Sequence, residues 1–327
     1  MNFNAEKPEP GRIYPNISNE EYHRCCGISK SGLALLRKTP AHYAAKYIYG
    51  AEEPPTPAMI IGSAFHTMVL QEELFSDEYA VAPVCDRRTK AGKAEYETFV
   101  GNAEGKTVIS LEDYERIQNM TSAVCKHPGA YMLLNMSTAV EESFFWIDET
   151  TGTLCKCRPD LRIASKRILV DLKSCEDASP EAFARTIYNF TYHLQAGFYC
   201  DGVSQVLQEQ YSTFIFIAVE KKPPYAVAVY QLDPDAIDAG KREAADLLRL
   251  FAWCSERNEW PGYPEEIQTI TMPRWAQSKE VTISEPITKD TKKAIKRAAK
   301  ALAAGKGHNL KIEANALSEV VDISIAT

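Results

Sequence analysis

The sequence predicts an α/β fold, a mixed central sheet flanked by helices, on three observations. Short runs rich in β-branched and aromatic residues, separated by polar turns, occupy 139–147, 154–163, 168–173, 211–219 and 225–232. Segments with apolar residues at helical spacing lie on either side, at 111–134 and 235–260. An apolar share of 45% and a charged share of 25% across 327 residues belong to a chain that buries an ordinary core. The formal charge of −7 excludes a polycation that holds nucleic acid by its overall field, so any such contact must rest on local basic patches.

The elements follow in order. Residues 1–27 are polar and Pro-bearing and read as an extended arm. Ser29-Lys30-Ser31, ahead of Leu33, Leu35 and Leu36, starts a helix with hydroxyl caps; Thr39-Pro40 ends it, and a second helix runs over 41–49. A Pro-rich loop at 51–58 leads into an apolar helix with Gly62, which would allow close approach, and His66. On residue type alone, a lone histidine there is more often a core residue with one hydrogen-bond partner than a ligand. The run CDRRTKAGK at 85–93 carries Arg87, Arg88, Lys90 and Lys93, with Gly92 as a flexible position; a solvated loop and a phosphate-contacting loop fit it equally.

Downstream, Ser179-Pro180-Glu181 starts a helix interrupted near Asn189, along which Tyr188, Tyr192, Gln195 and Tyr199 share one face. Such a stripe is usually core, although a buried Gln needs partners. Residues 261–288 read as a linker and 291–304 as a short basic helix. The domain plan is therefore an arm (1–27), a main domain (28–260) and a linker with a basic tail (261–327).

Nine cysteines without a C-x-x-C exclude a zinc ribbon. The first ten residues are polar and carry both charge signs, unlike a secretory leader, and no run is long enough to span a bilayer. A cytoplasmic protein with reduced thiols and no membrane contact is expected.

Chemistry concentrates at 158–173, RPDLRIASKRILVDLK, which reads as two paired strands around a polar turn. Alternation puts Asp171 and Lys173 on one face and Leu172 on the other. A hairpin that brings Asp160 beside them gathers two carboxylates and an ammonium, and crowded carboxylates call for a cation between them. Oxygen ligands of this kind suit Mg²⁺ or Mn²⁺, and the set suits metal-assisted phosphodiester hydrolysis. An isolated D-x-K is more often a solvated ion pair; the apolar Leu169, Val170 and Leu172 around these charges argue against that here. Lys156 and Arg158, spaced by two from Asp160, would share its face and could meet a phosphate backbone.

Pro159-Asp160, ten residues, then Asp171-Leu172-Lys173 resembles the PD-(D/E)XK nuclease signature, and the wider context resembles the exodeoxyribonuclease VIII (RecE) branch and its prophage relatives. The likeness covers residues 28–260: ISKSGLALLRKTPAHY resembles the opening of such domains, GSAFH the G-x-x-x-H element, and QAGFY the Q-x-x-x-Y element. It implies a restriction-endonuclease-like sheet. Metal ligands would come from His66, Asp160, Asp171 and the Leu172 carbonyl, with Glu141 as a further acidic candidate. Catalytic roles would fall to Asp160, Asp171, Lys173 and Gln195. Arg87, Arg88, Lys90, Lys93 and Tyr199 would lie along DNA. It implies no iron–sulfur cluster, since Cys254 stands alone at the end of the cysteine series.

The expected activity is 5′→3′ digestion of linear duplex DNA, leaving 3′ single strands for an annealing recombinase of the RecT type, in a ring-like homo-oligomer, a tetramer by analogy. A nuclease of other polarity, an endonuclease, and an inactive DNA-binding scaffold remain as alternatives.

Overall fold

The computed structural model describes residues 8–15, 17–51 and 54–273. It also gives the backbone of 283–286, 310–315 and 320–325, and Lys293, Lys296, Arg297 and Lys300. The chain divides into two units, Met1–Tyr263 and Pro264–Thr327.

The first unit opens with β1 (Arg12–Tyr14), α1 (Asn19–Arg24), α2 (Lys30–Lys38), α3 (Pro40–Tyr47), α4 (Pro57–Leu70) and α5 (Glu72–Glu78). There follow β2 (Tyr79–Val81), α6 (Lys90–Asn102), β3 (Thr107–Ile109), α7 (Leu111–Lys126) and α8 (Pro128–Met136). Its second half gives β4 (Ala139–Val140), β5 (Ser143–Ile147), β6 (Leu154–Cys157), β7 (Leu161–Ile163) and β8 (Ile168–Cys175). Then come α9 (Pro180–Asn189), α10 (Tyr192–Leu207), β9 (Thr213–Glu220), β10 (Val227–Gln231) and α11 (Pro234–Arg257).

Five strands form the main sheet in the order β10-β9-β8-β7-β4, parallel only between β8 and β9. A parallel pair needs a long crossover, and α9 and α10 supply it. The central strand β8 is buried along most of its length, which is why apolar Ile168-Leu169-Val170 and Leu172 flank the charged Asp171. Alternation sends Leu169 into one core with Phe214 and Phe216, covered by Leu33 and Leu36 of α2, Leu194 and Phe198 of α10 and Leu247 of α11. Val170 and Leu172 enter the opposite core with Ile217, covered by Phe65 of α4, Ile117 and Met120 of α7 and Leu133 of α8. The sequence predicts this two-sided mixed α/β architecture, and the structure has it.

Several finer expectations are corrected. The two strands read at 139–147 and 154–163 each break in the middle. β4 and β7 belong to the main sheet, while β5 and β6 leave it to form a second, three-stranded sheet with β1. Charged Glu141 and Glu142 mark one break and Arg158-Pro159-Asp160 the other. Within the arm read at 1–27, the described residues 8–15 and 17–27 pack on the fold rather than extend from it, since β1 pairs with β5 and Tyr22 and Cys25 are buried against Phe145. The helix read at 111–134 is two helices, parted at Pro128, which has no N–H to continue the first.

Two glycines exchange their expected roles. A Cβ on Gly62 would meet nothing within 4 Å, so no close approach explains it. Gly92 is no flexible hinge: it sits buried in α6, and a Cβ there would collide with the Asp86 carbonyl.

The second unit contains β11 (Ile283–Pro286), β12 (Leu310–Asn315) and β13 (Val320–Ile325), an antiparallel sheet in the order β11-β13-β12. Reading 261–327 as linker and basic tail does not anticipate these strands. Of the basic helix read at 291–304, the four described residues are helical and exposed, and the remainder lies outside the described residues.

Candidate active site

The site forms where the chain passes between the two sheets. Glu141 lies at the first break and Asp160 at the second, and the Glu141 amide donates to the Asp160 carbonyl at 3.0 Å. Glu141 has a left-handed backbone, φ +52°, a conformation that costs free energy in a non-glycine residue and concentrates at functional sites. The adjacent Glu142 is unavailable, because Arg162 donates to both of its carboxylate oxygens at 2.7 and 3.1 Å.

Helix α4 brings the third group. Thr56 caps it, accepting from the Met59 amide at 3.3 Å, with Pro57 in its first turn. Ile61, Ala64 and Phe65 bury one stripe of the helix. His66, one position round, leaves that stripe and places Nδ1 3.4 Å from Asp160 Oδ2. The donor atoms of His66, Glu141 and Asp160 all lie within 4.8 Å of one another. A cleft of about 890 Å³ opens onto His66, Glu141 and Arg158, with Glu21, Glu73, Asp77 and Glu78 also on its walls.

Strand β8 supplies the other half. Its alternation places Asp171 and Lys173 on the same face, and their charged ends form an ion pair at 2.5 Å. Gln195 of α10 is buried, and its amide donates to Asp171 Oδ1. The position of α10 depends on Gly197, where a Cβ would run into the backbone of Gly240 and Lys241 on α11. Asp160 Oδ2 accepts the Leu172 amide at 2.6 Å, which ties the backbone of β8 to the site carboxylate. Asp171 itself stands one step back from the His66–Glu141–Asp160 group.

Burial dominates the electrostatics. It raises Asp160 to about 6, reinforced by the charge of Asp171 and opposed by His66 and Lys173. It raises Glu141 to about 8, with Asp160 adding and Arg158 subtracting. Burial alone would lower Lys173, but Asp171 and Asp160 overcome it and hold the ammonium above its ordinary value. The residues fit a divalent cation. Two crowded carboxyls, those of Glu141 and Asp160, are pushed toward protonation for want of counter-charge. Carboxylate oxygens with one imidazole suit Mg²⁺ or Mn²⁺.

The remaining expected contacts divide. Lys156 and Arg158, expected along a phosphate backbone, are instead buried, 5% and 9% exposed, with their charged ends engaged inside the chain. Lys156 Nζ donates to the carbonyls of Tyr22 at 2.8 Å and Cys25 at 2.6 Å. Arg158 donates to Ser143 Oγ at 2.7 Å and the Ile17 carbonyl at 3.0 Å. Both clamp the N-terminal segment, because β6 turns into the second sheet before Asp160. Tyr199 is half-buried beside Tyr22 and Phe214, and burial raises its hydroxyl pKa well above the usual range. The stripe along 188–199 is broken: Thr191, at φ +56°, separates α9 from α10 and leaves Tyr188 exposed.

Arg87, Arg88, Lys90 and Lys93 are exposed, on a turn and the first turn of α6. Arg88 is bound to Asp86, and Arg87 lies 4.1 Å from the Tyr96 ring centre. The run shares no hydrogen bond or ion pair with the carboxylates. Lys30 is the cation that the sequence reading passes over. Its Nζ donates to the Phe190 carbonyl at 2.8 Å, and burial and the charge of Lys173 lower it to about 8. The only signal was its place in the ISKSG element, read there as a helix start.

A family profile described as "PDDEXK-like domain of unknown function (DUF3799)" matches residues 29–273. The chain belongs to this PD-(D/E)XK-like family. A crystal structure from Eubacterium rectale described as a "Putative exonuclease" shares the fold, with a TM-score of 0.50 at 14% identity over 75% of this chain and 88% of that one. The crystal structure of SSO0001, at 18% identity over 57% of this chain and 85% of that one, has a TM-score of 0.26. No curated protein matches the sequence. Asp160 and Asp171-Leu172-Lys173 lie within the residues that this family profile matches, and no described helix is long and apolar enough to cross a membrane.

Proposed function

We propose that the protein is a divalent-metal-dependent DNA nuclease hydrolysing phosphodiester bonds. The observation that carries this is the convergence of His66, Glu141 and Asp160 beside the Asp171–Lys173 pair. His66, Glu141 and Asp160 would hold the ion, with Asp171 adjoining. A bound Mg²⁺ or Mn²⁺ would supply Lewis-acid stabilisation of phosphate charge and a more acidic water.

The chain's own groups supply positioning. Two carboxylates hold Lys173 protonated, which supports a role as a charged donor that orients the attacking water and a phosphate oxygen rather than as a free base. Gln195 fixes the Asp171 carboxylate through Oδ1, which in turn holds the ammonium. Arg158 lies 4.0 Å from Glu141 and balances part of its charge from behind.

The finer reading follows the RecE-like motifs: processive 5′→3′ digestion of linear duplexes to 5′-mononucleotides, in a ring-like homo-oligomer, delivering 3′ strands to an annealing partner in the cytoplasm. The exposed Arg87, Arg88, Lys90 and Lys93 are the proposed backbone contacts. The test is Mg²⁺-dependent digestion of duplexes labelled separately at each 5′ and 3′ end, with a closed circle as control. Loss of the 5′ label first, with the circle intact, is expected. Cutting of the circle would make the enzyme an endonuclease, and no cleavage with Mg²⁺ or Mn²⁺ would overturn the nuclease reading.

A further inference from the structure

We propose that Phe190, with Tyr188 beside it, forms an aromatic ledge that stacks an unpaired nucleobase of the strand being cut. The inference rests on the nuclease reading and names the form of substrate that the site prefers.

The ledge is built rather than incidental. Helix α9 ends at Asn189, and the chain turns through Phe190 and Thr191 before α10 begins. Thr191 adopts φ +56°, which a β-branched residue rarely does. The turn leaves Phe190 62% and Tyr188 64% exposed. Large aromatic faces in water at a strained turn mark a candidate contact surface.

One ring separates this surface from the chemistry. Phe190 stacks on Tyr192 with centroids 5.9 Å apart and planes 26° apart. The Lys173 ammonium lies 4.8 Å from the centre of the same Tyr192 ring, and that of Lys30 lies 5.5 Å from it. Lys30 also ties the turn down through the Phe190 carbonyl. The exposed ring, two cations and the Asp171 carboxylate are thus linked through Tyr192.

Charge selects the occupant. The cleft beside His66 and Glu141 carries Glu21, Glu73, Asp77 and Glu78, which repel a phosphate backbone away from the metal position. The ledge side carries Lys30 and Lys173, and Arg37, held by Glu243, lies 5.5 Å from the Tyr188 ring centre. Cations interleaved with exposed aromatic faces are what single-stranded nucleic acid binds, its bases stacking regardless of sequence. A base within a duplex is already stacked on both faces, so the ledge takes a nucleotide that has left the helix.

The test uses the full chain and two duplexes with 2-aminopurine at the 5′ terminus, one blunt and one with two unpaired terminal nucleotides. Binding with EDTA present is followed by fluorescence, and cleavage with Mg²⁺ by kinetics. The parent protein should quench the unpaired 2-aminopurine. Phe190→Ala should lose the quench, weaken binding of the unpaired end by about 5- to 150-fold and raise KM on that duplex. Phe190→Trp should restore both, while Tyr131→Ala, an exposed aromatic elsewhere on α8, should behave as the parent does. An unquenched parent, a Phe190→Ala variant that quenches like the parent, or one whose oligomeric state changes would overturn the ledge. The last result would mean that another copy covers it. A parent that quenches but never cleaves would instead retire the nuclease reading and leave the ledge as a single-strand binding surface.

Discussion

Two sets of basic side chains stand close to one another in the sequence reading and far apart in consequence. Arg87, Arg88, Lys90 and Lys93 are exposed, and two of them open α6, where the helix dipole disfavours cations. Lys156, Arg158 and Lys173 are largely buried, each with partners in place. Both sets look like phosphate contacts when only spacing is considered. Burial divides them. An exposed cation contributes little to folding and stays accessible to a polyanion, whereas a buried one must be paired inside the protein. In Lys173 a buried pairing and a place in the site overlap, because its partner Asp171 is itself part of the site.

The largest effect should come from that overlap. Lys173→Ala or Asp171→Asn should reduce cleavage by about 10²–10⁴-fold with the far-UV circular dichroism unchanged; a folded variant retaining full activity would remove both residues from the site.

The buried clamp should register in stability. Lys156→Met leaves the Tyr22 and Cys25 carbonyls without their donor, at a cost of about 1–3 kcal/mol for each buried group left unpaired. Urea denaturation should show that loss, with the segment before Gly27 becoming sensitive to protease. Unchanged stability together with weakened DNA binding would return Lys156 to the DNA-facing set.

Metal should couple to pH through the raised carboxyls. Asp160 at about 6 and Glu141 at about 8 lie above the unfolded value of about 4. The metal-free fold therefore holds extra protons between about pH 4 and 8, and its stability falls as pH rises through that window. A divalent ion must displace those protons, so its stabilisation should grow over the same window, reaching about 2.7 kcal/mol at a hundredfold excess over Kd. Thermal shifts with Mg²⁺ or Mn²⁺ that are flat from pH 5 to 8 would break this linkage.

The smallest effect on stability belongs to the exposed set. Replacing Arg87, Arg88, Lys90 and Lys93 by Gln should move stability by no more than about 0.5 kcal/mol. It should lower the salt dependence of duplex binding by about 0.9 in log–log slope for each phosphate that the protein no longer neutralises. An unchanged slope would assign the run to solvent.

By itself the sequence determined what local periodicity and motif spacing can encode. Alternation along 168–173 sets Asp171 and Lys173 on one face of a strand buried on both sides, and the apolar runs and helical stripes around it specify a mixed α/β architecture. Pro128, lacking an N–H, also parts two helices by a purely local rule. What tertiary structure decided is where the chain leaves one sheet for another. That choice breaks two apparently continuous strands, puts Glu141 and Asp160 at facing breaks, and turns Lys156 and Arg158 inward. It also brings Lys30, 143 positions before Lys173, to the same Tyr192 ring. A strand's alternation is a property of its own backbone, but its neighbours, and hence which charges are dry and which wet, depend on contacts between residues distant in the chain, and these leave no period to read.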